Sequence, residues 1–430
     1  MIISNFLSTI IKKLINYLYK NKFLFFIIAI PIKLFDILFI KTNNEILFYG
    51  YKGRYSGNAA SLFRYCVSEK YKFRPIWLLD KKDLFYFENK LNYFQLPKKN
   101  SNIFAHIKLL FKIAKAKVIV ITSVGDLSIY CSLLYKKKRI EVLLPHGTTI
   151  KTGGVMAKHL NKKQKKIWST ISKRFDLISV SSRIEKYLIS SSLNLDPDKV
   201  KILGVQRGEF LKNNLQNNNN SVNQLEKIFS KLKIEKKNFD IKNSTIVLYA
   251  PTHRDHLQGD YEFTLLEKID GFNLEQLNEF LKKENMILFL REHAESKLKP
   301  PNGNLNLKSN IINFSIENFP DLEKYLNFID VIITDYSGIF IEHLLTKKSL
   351  VFALFDLDEY ESDRGLILPK EVLFPGYIFR SQDKFIYYLK NRETIDKSYI
   401  DQRKQLHSLF FEKSYEGACK RTMEEIYKLT

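Results

Sequence analysis

Four polar clusters follow predicted strands, and each carries side chains suited to chemistry on phosphate. The first runs from Leu144 to Lys151 and contains His146, a glycine and two threonines, of which Thr148 is the first. Histidine has an unperturbed pKa of about 6.5, which suits proton removal near neutral pH. Lys151 could neutralise a phosphate. This cluster therefore predicts a general base beside an anion site, with an ordinary turn histidine as the alternative.

The second and third clusters supply cations. After the predicted strand Thr245 to Tyr249, Arg254 offers a rigid fork of donors that matches phosphate oxygens, and Thr252 adds a hydroxyl. A solvated surface loop is the alternative for that segment. In the third cluster, a buried strand ends in Arg291 and His293 with a glutamate between them. Burying these three groups without a ligand would be costly, which favours a binding site.

The fourth cluster places a turn between a strand and a helix. Val331 to Thr334 is predicted as a strand, Asp335 and Ser337 lie in the turn, and a helix is expected from Ile339. Ser337 is predicted to cap this helix, whose free backbone N–H groups and dipole would attract an anion. Glu342, farther along the helix, could bind ribose hydroxyls. A capped turn without a ligand is the alternative.

Short apolar runs that alternate with amphipathic helices must position these clusters. Such alternation predicts βαβ units and parallel sheets, whose ligands gather at the carboxyl ends of the strands. The predicted strands of the first half are Ile46–Tyr49, Ile76–Leu79, Val118–Thr122, Val142–Leu144, Leu177–Ser181 and Lys201–Leu203. Those of the second half are Thr245–Tyr249, Met286–Leu290, Asn310–Phe314, Val331–Thr334 and Leu350–Ala353. The predicted fold class is α/β, with two similar halves that face each other.

The pattern divides the chain into five parts. An Asn-rich tract near Asn213 cannot bury a core and is predicted to be a linker between the halves. A helical tail from about Ile400 is expected to cross back over the junction. The predicted parts are a helical segment (1–40), a first Rossmann-like domain (41–212), the linker with a helix (213–240), a second Rossmann-like domain (241–395) and the returning helices (396–430).

The N-terminal segment suits an interfacial helix better than a membrane span. Met1 to Leu18 place apolar residues on one helical face, with Lys12 and Lys13 off it. The next apolar run, Phe23 to Ile32, is only ten residues long and is interrupted by Pro31, whereas a spanning helix needs roughly 20. The segment is therefore predicted to lie on an anionic membrane. Packing against the first domain is the alternative.

The chain of 430 residues carries 69 Lys and Arg against 46 Asp and Glu, a formal net charge of +23. Nucleic acid, an anionic membrane and phosphorylated substrates would each reward this excess, and drift in an AT-rich genome could also produce much of it. Three widely separated cysteines form neither a metal-ligand spacing nor a disulfide framework, which favours a reducing compartment. No paired-carboxylate motif predicts a tightly bound metal ion, and dependence on a divalent cation is left open.

In their order and strand-end placement, the clusters resemble those of the CDP-glycerol glycerophosphotransferases, a family that includes teichoic-acid primases and polymerases. The family's His-Gly-Thr-Pro-Leu-Lys stretch is similar to His146–Lys151, with Thr149 and Ile150 as departures. Its Tyr-Ala-Pro-Thr-aromatic-Arg motif resembles Tyr249–Arg254, where His253 takes the aromatic position.

The other motifs extend the resemblance from about Tyr49 to Gly417. The family's Thr-Asp-Tyr-Ser-Ser motif is similar to residues 334–338, although Gly338 replaces the second serine. Further matches are the Arg-x-His element at Arg291 and His293, the acidic residue at Glu342, Gly57–Asn58, Phe355–Leu357 with Tyr360, and Arg364–Gly365. The departures at Thr149 and Gly338 bear on the choice of substrate and leave the main polar groups intact.

The resemblance implies a GT-B-like fold whose second domain holds a cytidine diphosphate donor and whose first domain serves the acceptor. An acceptor hydroxyl would attack the β-phosphorus of CDP-glycerol or a related donor, and CMP would leave. His146 is then the expected general base, with His293 as the second catalytic residue. The expected substrate contacts are Arg254, Arg291 and His293 to the diphosphate, Ser337 to one phosphate, Asp335 or Glu342 to sugar hydroxyls, and Lys151, Thr148, Thr252 and Arg364 around them.

The resemblance also implies a lipid-linked or glycan acceptor, an anionic membrane surface as a partner, and a place on the cytoplasmic face of the cell membrane in teichoic-acid-like or capsular polymer synthesis. No tightly bound cofactor is expected, and the polyol, glycerol or ribitol, is left open. A GT-B glycosyltransferase that uses a nucleotide sugar is the alternative and would release UDP or GDP. A nucleic-acid-binding module is disfavoured, because the lysines are scattered and the arginines sit at strand ends.

Overall fold

The computed structural model describes residues 22–69, 71–81, 87, 91–98, 101–148, 150–209, 221–235, 239–252, 265–291, 310–316, 318–319 and 321–430. These residues form two α/β domains, each built on one parallel sheet. The helix predicted for residues 1–18 and the Asn-rich tract near Asn213 lie outside the described residues.

The first sheet is built from short apolar runs that are buried on both faces. Its strands are β1 (Asn43–Tyr49), β2 (Arg74–Leu79), β3 (Tyr93–Gln95), β4 (Ala116–Ile121), β5 (Ile140–Leu143), β6 (Leu177–Val180) and β7 (Val200–Ile202). They are hydrogen-bonded in the order β3-β2-β1-β4-β5-β6-β7, and every neighbouring pair is parallel. A separate apolar core lies on each face of the sheet, as parallel sheets require.

The second sheet follows the same plan. Its strands are β8 (Thr245–Tyr249), β9 (Met286–Leu290), β10 (Ile311–Asn313), β11 (Val331–Thr334), β12 (Ser349–Ala353) and β13 (Tyr377–Phe379), in the order β10-β9-β8-β11-β12-β13. All neighbouring pairs are parallel. The predicted α/β class is therefore confirmed. The sequence did not predict β3 and β13, because each has three residues at a sheet edge and offers no long apolar run.

Helices cover both faces of each sheet. Their bounds are α1 (Lys22–Phe39), α2 (Gly57–Ser68), α3 (Ile103–Lys115), α4 (Ser128–Leu133), α5 (Lys162–Ser172), α6 (Arg183–Leu193), α7 (Ser221–Leu232), α8 (Leu274–Lys283), α9 (Ile339–His343), α10 (Leu357–Asp363), α11 (Lys370–Leu373), α12 (Gln382–Lys390), α13 (Arg392–Lys397), α14 (Ile400–Phe410) and α15 (Ala418–Lys428). Asparagine or serine side chains cap several of them, namely Asn102 on α3, Asn161 on α5 and Ser182 on α6.

The last two helices belong to different domains. Leu406 and Phe410 of α14 are buried in a core of the second domain. Cys419, Met423 and Ile426 of α15 are buried instead in a core of the first domain. The end of the chain thus returns to the first domain after the second is complete, and it links the two.

Helix α1 docks on the first domain through a buried ion pair. The interruption expected at Pro31 is not present, because α1 continues through this residue. Asp36 of α1 faces Arg139, with Nη1–Oδ2 and Nη2–Oδ1 distances of 2.7 and 2.5 Å. The backbone N–H of Tyr135 donates to the same carboxylate at 2.8 Å. These contacts hold the second half of α1 against the first domain.

Helices α1 and α3 share an exposed apolar surface, called here the α1–α3 face. Leu38 and Phe104 are 69% and 68% exposed, and Phe35 packs edge-on against Phe111 with ring centroids 6.2 Å apart. The other members are Ile27, Ile30, Leu34, Ile37 and Phe39 of α1 and Ile103 and Ile107 of α3. No helix in the described part of the chain is long and apolar enough to cross a membrane.

Replacing Asp36 with alanine is expected to destabilise the protein. The side chains of Asp36 and Arg139 are each 1% exposed. Breaking a buried ion pair from one side leaves an uncompensated charge and costs about 3–5 kcal/mol of the free energy of unfolding, measured by urea titration. The control is Asp401→Ala, which removes a solvent-exposed pair with Lys404 and should cost less than about 1 kcal/mol. Equal losses in the two variants would contradict this assignment.

Candidate functional site

A cleft of about 650 Å³ separates the two domains at the carboxyl edges of both sheets. Residues that follow strands of the first sheet line one wall, among them Tyr51, Thr122 and His146. Thr252 and Arg291 follow strands of the second sheet and line the other wall. The volume is within the usual range for small-ligand sites, about 300–1,000 Å³.

His146 stands on the first wall with one ring nitrogen committed. Its Nδ1 lies 3.2 Å from the carbonyl oxygen of Thr122, and its ring stacks on Tyr51 with centroids 4.8 Å apart. Because a carbonyl oxygen only accepts, Nδ1 carries the proton, and Nε2 is left as the acceptor. The residue is exposed to the cleft. The arrangement suits a general base with a fixed tautomer.

The pKa of His146 is lowered from its ordinary value. The main cause is burial, since the protein crowds the ring on the sides away from the cleft and removes water from the charged form. The positive charges of Arg207 and Lys151 lower the pKa further, whereas the hydrogen bond to the Thr122 carbonyl opposes them. The neutral, proton-accepting form therefore persists to a lower pH than in a free histidine.

The segment after His146 crosses to the second domain. Ile150 is buried in a core of that domain. Residues 150–152 pair antiparallel with residues 365–367 through two backbone hydrogen bonds of 3.2 and 3.1 Å. The strand-end segment that carries the base is therefore anchored in both domains.

Gly338 lets the two walls touch. A Cβ at this position would lie 2.6 Å from the carbonyl oxygen of Thr148, closer than real contacts allow. Gly338 also takes the N-cap position of α9 without a side-chain cap, so the prediction that Ser337 caps this helix is wrong. At this turn the structure shows a close contact with the opposite domain and no side-chain cap on the helix. Ser337 itself lines the cleft.

Cations from both domains line the cleft. Lys151 comes from the first domain, and Arg291 and Arg364 come from the second, beside Thr252. Burial lowers the pKa of Arg364, yet a guanidinium stays charged in proteins. Arg291 is buried, and its Nη1 donates to the carbonyl oxygen of Phe319 at 2.7 Å, which orients the guanidinium. These groups give the cleft the positive charge that a diphosphate requires.

The two carboxylates expected near a donor sugar are both buried. Asp335 is 1% exposed and accepts the backbone N–H of Thr252 at 2.8 Å. It therefore supports the Thr252 loop, and its expected contact with a sugar hydroxyl stays a prediction. Glu342 does line the cleft, but its Oε1 forms an ion pair with Arg207 of the first domain. Its Oε2 has no hydrogen-bond partner among the described residues.

Thr148 lines the cleft, and the buried carboxylate of Glu185 lies behind it. This carboxylate accepts from the backbone N–H of Ser181 at 2.8 Å and from the Ser181 hydroxyl at 2.5 Å. Burial raises the pKa of Glu185, and these hydrogen bonds oppose the rise.

Arg207 is the site residue that sequence reasoning missed. It follows β7 and lines the cleft, as the four polar clusters follow their own strands. Its Nη1 donates to the carbonyl oxygen of His146 at 3.0 Å, and its backbone N–H donates to Asn58 Oδ1 at 3.2 Å. Asn58 Nδ2 donates in turn to the carbonyl oxygen of Pro145 at 2.7 Å. Because ligands gather at the carboxyl ends of parallel strands, polar residues after β7 were candidates as well.

Two of the predicted site residues, Arg254 and His293, lie outside the described residues, and their roles stay predictions. The same holds for Thr149. Over the part of the chain that the structure describes, no group of three or more His, Cys, Asp or Glu side chains could hold a metal ion. The three cysteines are free and buried.

Comparisons with known proteins relate this chain to one family. A family model described as CDP-glycerol:poly(glycerophosphate) glycerophosphotransferase matches residues 32–428. The chain is 26% identical over 389 residues to the teichoic acid poly(glycerol phosphate) polymerase of Bacillus spizizenii, with 85% of this chain and 90% of that protein covered. It is 29% identical over 153 residues to the teichoic acid ribitol-phosphate polymerase TarL of Staphylococcus aureus, with 36% and 26% covered.

A solved structure supports the fold. The wall teichoic acid polymerase TagF, in a variant soaked with CDPG, matches with a TM-score of 0.74 at 19% identity, and 99% of this chain and 98% of that chain are covered. This likeness confirms the predicted GT-B-like, two-sheet α/β fold.

Replacing Gly338 with alanine is expected to force the walls of the cleft apart. The new Cβ would overlap the Thr148 carbonyl, and overpacking of this kind costs about 1–3 kcal/mol of the free energy of unfolding, measured by urea titration. Gly153→Ala is the control, because Gly153 has a φ of −142° and no atom within 4 Å of a Cβ. Unchanged stability of the Gly338 variant would contradict the close approach of the walls.

Proposed function

Because the chain belongs to the CDP-glycerol:poly(glycerophosphate) glycerophosphotransferase family, we propose that it transfers glycerol phosphate from CDP-glycerol to a hydroxyl of a membrane-linked acceptor and releases CMP. The polymer would be a teichoic acid or a related surface polymer. The observation that carries the proposal is His146, a neutral acceptor with a fixed tautomer that faces a cleft lined by cations from both domains.

The chemistry needs one proton acceptor and stabilised phosphoryl charge. Nε2 of His146 takes the proton of the acceptor hydroxyl, whose oxygen forms a bond to the β-phosphorus of the donor. The bond between that phosphorus and the bridging oxygen breaks, and the electron pair leaves with CMP. The product is a phosphodiester. Lys151, Arg291 and Arg364 support this step, since they place fixed positive charge where negative charge spreads over the transferred phosphoryl group.

The donor would lie mainly against the second domain. Arg291, Arg364 and Thr252 line that wall, and Ser337 lies at its turn. Arg254 and His293 are predicted to complete the diphosphate contacts. The predicted contact of Glu342 with a sugar hydroxyl would require its buried Oε2 to turn toward the cleft, while its Oε1 stays with Arg207. The acceptor would then approach from the first domain, on the side of His146.

The joined walls support transfer over hydrolysis. Residues 150–152 and 365–367 close the cleft along one side through backbone hydrogen bonds. Limiting water near the reacting phosphorus favours the acceptor hydroxyl as the nucleophile. The polyol could be glycerol or ribitol, since relatives named for each match this chain. We propose glycerol as the polyol, because the family model is named for glycerophosphate and the glycerol phosphate polymerase matches more of this chain than the ribitol-phosphate polymerase does.

We further propose that the α1–α3 face rests on an anionic membrane. Its aromatic and aliphatic side chains are exposed together, and Lys41, Lys108 and Lys115 on the same helices or directly after them are exposed as well. Apolar residues beside lysines suit the boundary between acyl chains and anionic headgroups. This placement would hold the protein at the cytoplasmic face, to which a membrane-linked acceptor is attached.

The variant His146→Gln is expected to lose CMP release from CDP-glycerol by about 10²–10⁴-fold, the usual contribution of a general base. Donor binding, measured by isothermal titration calorimetry, should change little because the donor cations are untouched. His407→Gln is the control, since His407 lies on α14 away from the cleft and packs on Phe411. Near-normal CMP release by the His146 variant would eliminate it as the base.

The variants Leu38→Glu and Phe104→Glu are expected to weaken sedimentation with phosphatidylglycerol vesicles. Each removes the burial of a large apolar side chain, worth about 1.5–3 kcal/mol, or roughly tenfold or more in binding. Tyr187→Glu is the control, because Tyr187 is 60% exposed on α6, outside the α1–α3 face. Equal sedimentation of all three variants and the unaltered protein would contradict the proposed membrane contact.

A further inference from the structure

We infer that Arg207 is a positioning residue that ties the orientation of His146 to the seating of the second domain. The inference rests on the proposed role of His146 as the general base. Arg207 Nη1 donates to the carbonyl oxygen of His146 at 3.0 Å, and its Nη2 pairs with Oε1 of Glu342. A single guanidinium therefore contacts both the base-bearing residue of the first domain and helix α9 of the second.

The ion pair between Arg207 and Glu342 is buried, so its stability depends strongly on its geometry. The side chains of Arg207 and Glu342 are 7% and 2% exposed. A buried ion pair is favourable only when further hydrogen bonds hold both partners, and the His146 carbonyl supplies one of them. The planar guanidinium presents its donors in a fixed fork. A shift of the second domain would therefore move the guanidinium and, through it, the backbone of His146.

The short helical segment 206–209, which carries Arg207, is held by contacts on two sides. Its backbone N–H donates to Asn58, which also donates to the carbonyl oxygen of Pro145, the residue before the histidine. The neighbouring Gln206 donates through Nε2 to the hydroxyl of Thr422 on α15 at 2.8 Å. Helix α15, which returns from the second domain, thus helps to hold the helical segment of Arg207 in place.

The charge of Arg207 also acts on the imidazole. It lowers the pKa of His146, after the larger effect of burial. The groups that face the imidazole or its backbone are the Tyr51 ring after β1, the Thr122 carbonyl after β4, Lys151 on the same segment, Arg207 after β7 and, behind Arg207, Glu342 of α9. Removing Arg207 takes away one positive charge and exposes His146 to the uncompensated carboxylate of Glu342. Both changes raise the pKa of His146.

The test is the pH dependence of CMP release from CDP-glycerol in four variants: Arg207→Gln, Arg207→Lys, Glu342→Gln and His146→Gln. Arg183→Gln is the matched control, because Arg183 is 74% exposed and pairs with Glu412 outside the cleft. Thermal unfolding of every variant reports whether it folds. The acid limb of kcat/KM reports the pKa of the base in the free enzyme.

Arg207→Gln is expected to move the acid limb to higher pH and to lower kcat by about 10–100-fold, the effect of a small misplacement of a catalytic group. Arg207→Lys keeps the charge without the fork, so its acid limb should stay near that of the unaltered enzyme while kcat falls. Glu342→Gln removes a negative charge and should lower kcat without an upward shift of the acid limb. The control should match the unaltered enzyme.

Two outcomes separate the failure of this inference from failure of the proposed function. If His146→Gln is inactive while the Arg207 and Glu342 variants keep the kcat and acid limb of the unaltered enzyme, Arg207 has no positioning role. If His146→Gln stays active, the proposed function of His146 fails instead, and with it the basis of the inference. Should Arg207→Gln not fold, Arg207→Lys and Glu342→Gln decide, and unchanged kcat in both would overturn the inference.

Discussion

The segment from His146 to Thr152 is shared by both domains, and the cleft depends on that sharing. His146 is held in the first domain through the carbonyl of Thr122, while Ile150 is buried in a core of the second. Only a few residues therefore separate the base, His146, from Ile150, which anchors the segment in the second domain. Movement of one domain relative to the other must act on the histidine, because too little chain separates them to absorb it.

The sharing of this segment explains three features that look unrelated in the sequence. Gly338 leaves room for the Thr148 carbonyl at the contact between the walls. The helix α15 returns to the first domain and supports the helical segment that carries Arg207. The cations of the cleft also come from both domains, so a diphosphate held between them would reinforce the same contact. The contact between the two walls, the position of His146 and the binding of phosphate therefore depend on one another.

The sequence predicted the parts that follow from local pattern. Short apolar runs with polar ends indicated parallel strands, and the carboxyl edges of the two sheets meet at the cleft. Features decided by distant contacts could not be read in this way. The buried pair of Arg207 and Glu342 joins residues far apart in the chain, and Asp335 turns to the Thr252 backbone. Likewise, α1 continues through Pro31 while Asp36 is held by Arg139.

The proposed reaction is the transfer of a polyol phosphate in the cleft. Phosphorus NMR of a reaction that contains the protein, CDP-glycerol and a glycerol-phosphate-primed acceptor tests it most directly, since one spectrum follows donor, CMP and product. One new phosphodiester is expected for each CMP released. Donor hydrolysis to CMP and free glycerol phosphate, or consumption of a nucleotide sugar in place of CDP-glycerol or CDP-ribitol, would contradict it.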